Sequence, residues 1–260
     1  MSISRIQGVF YRYFYDFYRG QHFLADLFFW PFMDILLWGF TSVWIQGHQS
    51  IGELPLILMT AMIFWQITRR GSMDVSVSLL LEFWNRNLVN LFSTPLKIHE
   101  WAFGVILLCL CKLLITISFG AAVIYFLYTL NVFTIGWAFL PFTVSLLIFG
   151  WVVGFLAASV IIYWGNNAGA FAWMIPFFFA PFSAIFYPVD VLPQWAQIIS
   201  WLLPTAYIFE GMRSILNSGV FPSHYFWISL ILDTVYLSLA LFLFKFMFEK
   251  SRSKGLARLE

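Results

Sequence analysis

Apolar residues in this chain come in long blocks, not in alternation. Six blocks approach the roughly 20 residues that a helix needs to cross a hydrocarbon core. They are 24–45, broken by Asp26 and Asp34; 54–67, continuing through 68–81 past Arg69, Arg70 and Asp74; 102–128, with Lys112; 137–163 and 168–187, both uncharged; and 225–248, with Asp233 and Lys245. The pattern predicts an all-α integral membrane fold with six transmembrane helices. The first twenty residues are of another kind. Ile6, Val9, Phe10, Tyr13 and Phe17 share one helical face, while Arg5, Arg12 and Arg19 recur every seven residues on another. Arg12 and Asp16 stand four apart, as an ion pair on one helix would. This predicts an amphipathic helix lying in the membrane interface with its arginines toward headgroups. The chain thus divides into an interfacial helix (1–22), a six-span domain (23–250) and a tail (251–260).

One late stretch, 186–213, breaks the blocks without becoming polar. It is mostly apolar, yet holds Pro188, Pro193 and Pro204 with Asp190, Glu210 and Arg213. Proline suits first turns and blocks helix interiors, so the prolines cut the stretch into short helices. Six spans require it to begin and end on the outer side. Two arrangements satisfy that requirement: a re-entrant hairpin packed against other spans, or an outer loop resting on headgroups through Trp195 and Trp201.

Composition agrees with the blocks. The 260 residues are 62% hydrophobic and 10% charged, with mean hydropathy +0.85, against roughly 45–50% and about 25% in soluble domains. A net charge of +2 gives no reason to expect a nucleic-acid partner; membrane lipids are the expected surroundings. The N-terminus lacks the short apolar core and small-residue cleavage site of a secretory signal. Cys109 and Cys111 are two apart, so on a helix they face away from each other and form no local disulfide. His22, His48, His99 and His224 have no metal-ligand spacing, and no metal site is expected.

Basic residues set the orientation. Arg5, Arg12 and Arg19 precede the first block, Arg86 and Lys97 lie between the second and third, and Lys250, Arg252, Lys254 and Arg258 form the tail. The turns at 46–53 and 129–136 have none. Both termini are therefore expected in the cytoplasm, with Arg213 as the one exception to the rule.

Asp34, Lys112 and Asp233 each fall about 12–15 Å from the end of their block, near the midplane of a core about 30 Å thick. A lone charge there costs about 2.5–3.5 kcal/mol on insertion scales. Pairing removes much of that cost, and Lys112 is expected to contact Asp34 or Asp233. Arg70 and Asp74 form an i,i+4 pair of structural character. Gly150 and Gly154, in the run GWVVG, permit close helix approach, either between chains or within this one. Aromatic residues, 13 Trp, 11 Tyr and 32 Phe, can line a path or simply pack between helices.

The motifs in 186–213 carry a resemblance. Phe186-Tyr187 is followed by Leu192-Pro193-Gln194-Trp195, Pro204-Thr205-Ala206-Tyr207 and Gly211-Met212-Arg213. Upstream, LVNLFSTPLKIHEWAFG sets Pro95 nine residues before Gly104, with Thr94 inserted after Ser93. In order and spacing these resemble the permease subunits of ABC-2 type exporters, and the likeness extends over nearly the whole chain. Lys112 departs from the family pattern, where charge lies nearer the cytoplasmic end of that span.

The resemblance implies a half-transporter: two such subunits, as a homodimer or with a relative, joined to two copies of an ABC ATPase in a plasma membrane, in all expectation a bacterial one. It implies that 82–100 is the ATPase-coupling segment, with Glu82, Arg86, Asn87, Asn90, Pro95 and Lys97 as its contact residues. It also implies that 186–213 is an extracellular gate hairpin carrying Pro188, Asp190, Pro193, Trp195, Pro204, Tyr207, Glu210 and Arg213. Within the coupling segment, Thr94 is suited to cap the next helix and Pro95 to its first turn. The chain lacks G-x-x-x-x-G-K-[ST], the loop that cradles nucleotide phosphates. No cofactor is therefore expected on it, and ATP and magnesium belong to the partner. Relatives move lipid-linked glycans, lipids or drugs; the Trp-Pro element in 28–40 is loosely similar to the polysaccharide exporters. A second class, an ion-coupled secondary carrier using Asp34 and Asp233, predicts broken helices in both halves, and the sequence has one interruption. An intramembrane enzyme would need clustered catalytic groups, and none stands out.

Overall fold

The computed structural model describes residues 2–20, 25–48 and 54–255. Leu24, where the first block begins, His22, the turn at 49–53 and Arg258 lie outside the described residues. Within them every regular element is helical. In chain order the α-helices are α1 (Ile3–Arg19), α2 (Trp30–His48), α3 (Leu54–Trp84), α4 (Leu88–Ser93), α5 (Ile98–Tyr128), α6 (Phe139–Trp164), α7 (Phe171–Phe179), α8 (Gln194–Trp201), α9 (Pro204–Ser218) and α10 (Ser223–Ser253). A π-helical turn, Ala25–Phe29, leads into α2, and a 3-10 turn, Val132–Ala138, leads into α6.

Among the described residues, four helices are long and apolar enough to cross a membrane: Ala25–Gly47, Ile98–Tyr128, Val132–Trp164 and Ser223–Ser253. The second block forms one unbroken helix, α3, whose 31 residues equal α5 in length; Arg69, Arg70 and Asp74 interrupt its apolar character. The block at 168–187, expected to be a single span, is not one helix. It is α-helical only over the nine residues Phe171–Phe179, followed by a 3-10 turn at Ala180–Phe182. Pro181 lacks the N–H that a continuing α-helix would use, and Ala184 takes a left-handed backbone with φ of 56°.

Helix α3 is the axis of the bundle. It is buried along nearly its whole length and packs on α2, α5 and α6, while α6 packs on α10. The contact of α3 with α6 runs through glycine. A Cβ on Gly150 would stand 2.6 Å from the Thr68 carbonyl oxygen, and one on Gly154 2.7 Å from that of Ser72. The GWVVG run therefore serves packing inside the chain, where the missing side chains let two backbones touch.

Candidate functional site

Lys112 and the arginines of α3 are ion-paired, but not as expected. Lys112 Nζ donates to Asp74 Oδ1 at 3.0 Å, not to Asp34 or Asp233. Arg70 Nη1 reaches Asp26 Oδ2 at 2.5 Å and Asp74 Oδ1 at 3.7 Å, so the anticipated Arg70–Asp74 pair is one link of a longer chain. Arg69 stands 3.6 Å from the other oxygen of Asp26. The order is Arg69, Asp26, Arg70, Asp74, Lys112, joining the entry to α2 with α3 and α5. Alternating signs let each buried charge see an opposite neighbour, which offsets part of its desolvation. The sequence could not place Lys112, because helix adjacency is not encoded in the spacing along one helix.

The two aspartates proposed as a coupled ion site are not brought together. Asp34 accepts a 2.8 Å hydrogen bond from Gln66 Nε2, and Gln66 Oε1 in turn accepts from Arg69 Nη2 at 2.6 Å. Asp233 is sealed between α6 and α10, where it accepts from Ser145 Oγ at 2.5 Å, and Ser145 meets Ser229 at 2.6 Å.

The ion chain borders two adjoining clefts of about 540 and 640 Å³, which share Asp26, Trp30, Met73 and Trp173. The first adds Tyr13, Asp16, Trp84 and Lys112; the second adds Asp34, Trp38, Trp65 and Arg69. Five tryptophans, Trp30, Trp38, Trp65, Trp84 and Trp173, stand in the walls. Trp84 and Trp173 stack at 5.9 Å, and Trp38 lies on Phe186 at 3.9 Å with the planes 11° apart. Flat apolar surfaces beside fixed polar groups suit a ligand that is itself amphipathic.

The segment 82–100 is more buried at its ends than its sequence suggested. Glu82 is 1% exposed. Its carboxylate accepts from Arg12 Nη2 at 2.8 Å, Tyr13 Oη at 2.7 Å and Asn87 Nδ2 at 2.8 Å. It is an internal anchor and not a contact surface. Arg86, Asn90, Pro95 and Lys97 are exposed, and Arg86 turns the chain with a positive φ of 48°. Thr94 does not cap the next helix. It follows α4, its hydroxyl donates to the Leu91 carbonyl at 2.6 Å, and α5 starts after Lys97. Pro95 therefore precedes the first turn of α5.

Helix α1 also departs from expectation. Arg12 turns to Glu82 and not to Asp16, and Arg5 turns inward to Glu100 at 3.4 Å and to the Pro95 carbonyl at 2.7 Å. Two of the three regularly spaced arginines thus bind protein carboxylates in place of headgroups.

In 186–213 the prolines cut where expected, giving α8 and α9. Pro188, Asp190, Pro193 and Trp195 are exposed; Pro204 and Arg213 are buried; Tyr207 and Glu210 are half-buried. Arg213 explains its own exception to the charge rule. Its Nη2 donates to the carbonyl oxygens of Ala184, Ile185 and Tyr187, the last two at 3.0 Å, and its Nη1 lies 3.3 Å from Glu210. Glu210 also accepts from the Val189 N–H at 2.7 Å. The guanidinium thus serves carbonyls left open beyond the 3-10 turn that follows α7, a duty that must be met inside protein. Tyr207 ties the hairpin by donating to the Trp201 carbonyl at 2.9 Å.

Sequence reasoning missed Asp26, Gln66, Tyr13, Glu100 and Trp101. Asp26 had a signal: an acid in an apolar block needs a cation, and Arg70 was left with only one partner. Tyr13 and Trp101 had none, since they bond to each other across 88 residues; Glu100 has a local partner in the Lys97 N–H at 3.1 Å, but its bonds to Ser2 and Arg5 span more than 90 residues.

Compared with known proteins, the chain matches the family model described as ABC-2 type transporter over residues 5–217. That range takes in α1 from Arg5 onward, the ion chain, the 82–100 segment and the hairpin. No curated protein sequence gave a significant match.

Proposed function

The chain belongs to the ABC-2 type transporter family, and from that premise we propose that it is the membrane half of an ATP-driven exporter of amphipathic or lipid-linked substrates. It is an integral membrane protein and a permease component of a family that works with an ABC ATPase. In the proposed assembly two permease subunits, as a homodimer or with a relative, stand on two ATPase subunits that bind ATP and magnesium. The exposed residues of 82–100, with Arg86, Asn90 and Lys97 foremost, engage the ATPase.

The proposed topology has six passes: α2, α3, α5, α6, α7 continued by the hairpin, and α10. The basic groups support it. Phe92 of the 82–100 segment packs on Phe248 near the end of α10 at 4.8 Å, and Lys254 donates to Tyr163 near the end of α6 at 3.2 Å. The arginines of α1 join the same end. A positive end of this kind suits the cytoplasmic side, which supports the reading of α8 and α9 as an outer gate.

The observation that carries the transport reading is the pair of clefts with tryptophans in their walls beside an ion chain of alternating sign, three cations with two anions between them. They offer a route for a polar head along apolar helices. The test is reconstitution of the chain with its cognate ATPase in proteoliposomes. Movement of a fluorescent-headgroup lipid probe should require ATP and stop with a hydrolysis-dead ATPase. Flux driven by a proton or sodium gradient without ATP would contradict the proposal.

A further inference from the structure

Two carboxylates, Glu82 and Glu100, mark the two ends of the 82–100 segment. Each is 1% exposed, and each is held by α1. At the first end, Arg12 and Tyr13 donate to Glu82, at 2.8 and 2.7 Å, and Trp101 Nε1 donates to Tyr13 Oη at 2.9 Å. At the second end, the Ser2 backbone N–H donates to Glu100 at 2.8 Å, Arg5 stands 3.4 Å from it, and Arg5 also donates to the Pro95 carbonyl at 2.7 Å. Arg5 and Arg12 are two turns apart on one face, about 10 Å along the helix. That interval bridges the segment from one carboxylate to the other.

The backbone of α5 is shaped for the same contact. A Cβ on Gly104 would lie 2.6 Å from Val9 Cγ1 and 3.1 Å from the Ile6 carbonyl oxygen. Only a residue without a side chain lets α1 lie this close. Tyr13 is buried at 3% exposure, and burial beside Glu82 pushes its phenol well above its ordinary pKa, so it stays a proton donor.

We infer that α1 is a clamp that braces both ends of the 82–100 segment against α5, so that the segment, α1 and the start of α5 move as one body. Glu82 and Glu100 are the positioning residues of this clamp. Without it, the six residues of α4 are too short to hold a shape alone. The load from an ATPase pressing on Asn90 would bend the loop in place of tilting α5. This role in coupling rests on the reading of 82–100 as the ATPase contact; the clamp itself does not.

The test uses the full-length permease with its ATPase. Hydrogen exchange over 85–97 is compared between the natural chain and Arg5→Ala/Arg12→Ala. A second variant, Gly104→Leu, displaces α1 while leaving every clamp side chain in place. A third, Arg12→Glu/Glu82→Arg, restores the pair with reversed sign. The clamp predicts exchange roughly tenfold faster, or more, in the first two, with slower exchange recovered in the third. Transport of the fluorescent-headgroup lipid per ATP hydrolysed should fall in step with the loosened loop and recover in the charge-reversed pair. Unchanged exchange in both loosening variants overturns the clamp. Faster exchange with unchanged transport per ATP overturns its part in coupling. If the natural complex moves no lipid probe, the proposed function fails, and the exchange comparison still decides the clamp.

Discussion

Asp74→Leu should cost the protein about 3–5 kcal/mol of stability, the range found when one partner is taken from a buried ionic network. Asp74 stands 3.0 Å from Lys112 and 3.7 Å from Arg70, and its removal leaves two cations in the bundle with one anion fewer between them. The double variant Asp74→Leu/Lys112→Leu should recover most of the loss, because an apolar pair of similar volume replaces a desolvated ionic one. Thermal unfolding of the detergent-solubilised protein, read as a double-mutant cycle, measures the coupling. The same cycle run with Asp34 or Asp233 in place of Asp74 should show no coupling to Lys112 beyond about 0.5 kcal/mol, the scatter expected of independent sites. Coupling to either of those aspartates as strong as to Asp74 would contradict the pairing.

Arg213→Met is the second large effect. The substitution keeps the apolar stem of the side chain while removing its donors. It opens the carbonyls of Ala184, Ile185 and Tyr187 and leaves Glu210 without its cation. Each buried acceptor left unmade costs about 1–3 kcal/mol, so the hairpin should detach from the end of α7 even if the bundle survives. Limited proteolysis should then cut within 184–193 many times faster than in the natural protein. Arg213→Lys should rescue only in part, since an ammonium cannot spread its donors over as wide a fork. Equal protease resistance in the Met variant would show that the guanidinium is dispensable to the hairpin.

Much of the fold can be read along the chain because lipid imposes long-range order on local composition. A helix that crosses hydrocarbon needs an uninterrupted apolar run, and such runs are visible without a partner. Prolines 193 and 204 announced α8 and α9 for a similarly local reason. The failures share the opposite property. Arg12 shows helical spacing to Asp16, yet binds Glu82, 70 residues away. Lys112 lies at the right depth for Asp34 and Asp233 and chose Asp74, 38 residues away on α3. The resemblance groups Glu82 with the contact residues of 82–100, and only the docking of α1, through Arg12 and Tyr13, shows that it is buried. Periodicity tells which face of a helix is apolar; it does not tell which helix comes to cover that face. The block at 168–187 failed differently, since an apolar run gives length but not continuity, and Pro181 and Ala184 break it within the run.

The proposal that the 82–100 segment meets the ATPase is the claim on which the rest of the functional account depends. A photo-crosslinking amino acid placed at Asn90, which is exposed on α4, tests it in membranes holding the permease and its ATPase. The account predicts a crosslink from position 90 to the ATPase and none from Trp195, exposed on α8. A crosslink to the ATPase from position 195, with none from position 90, would contradict it.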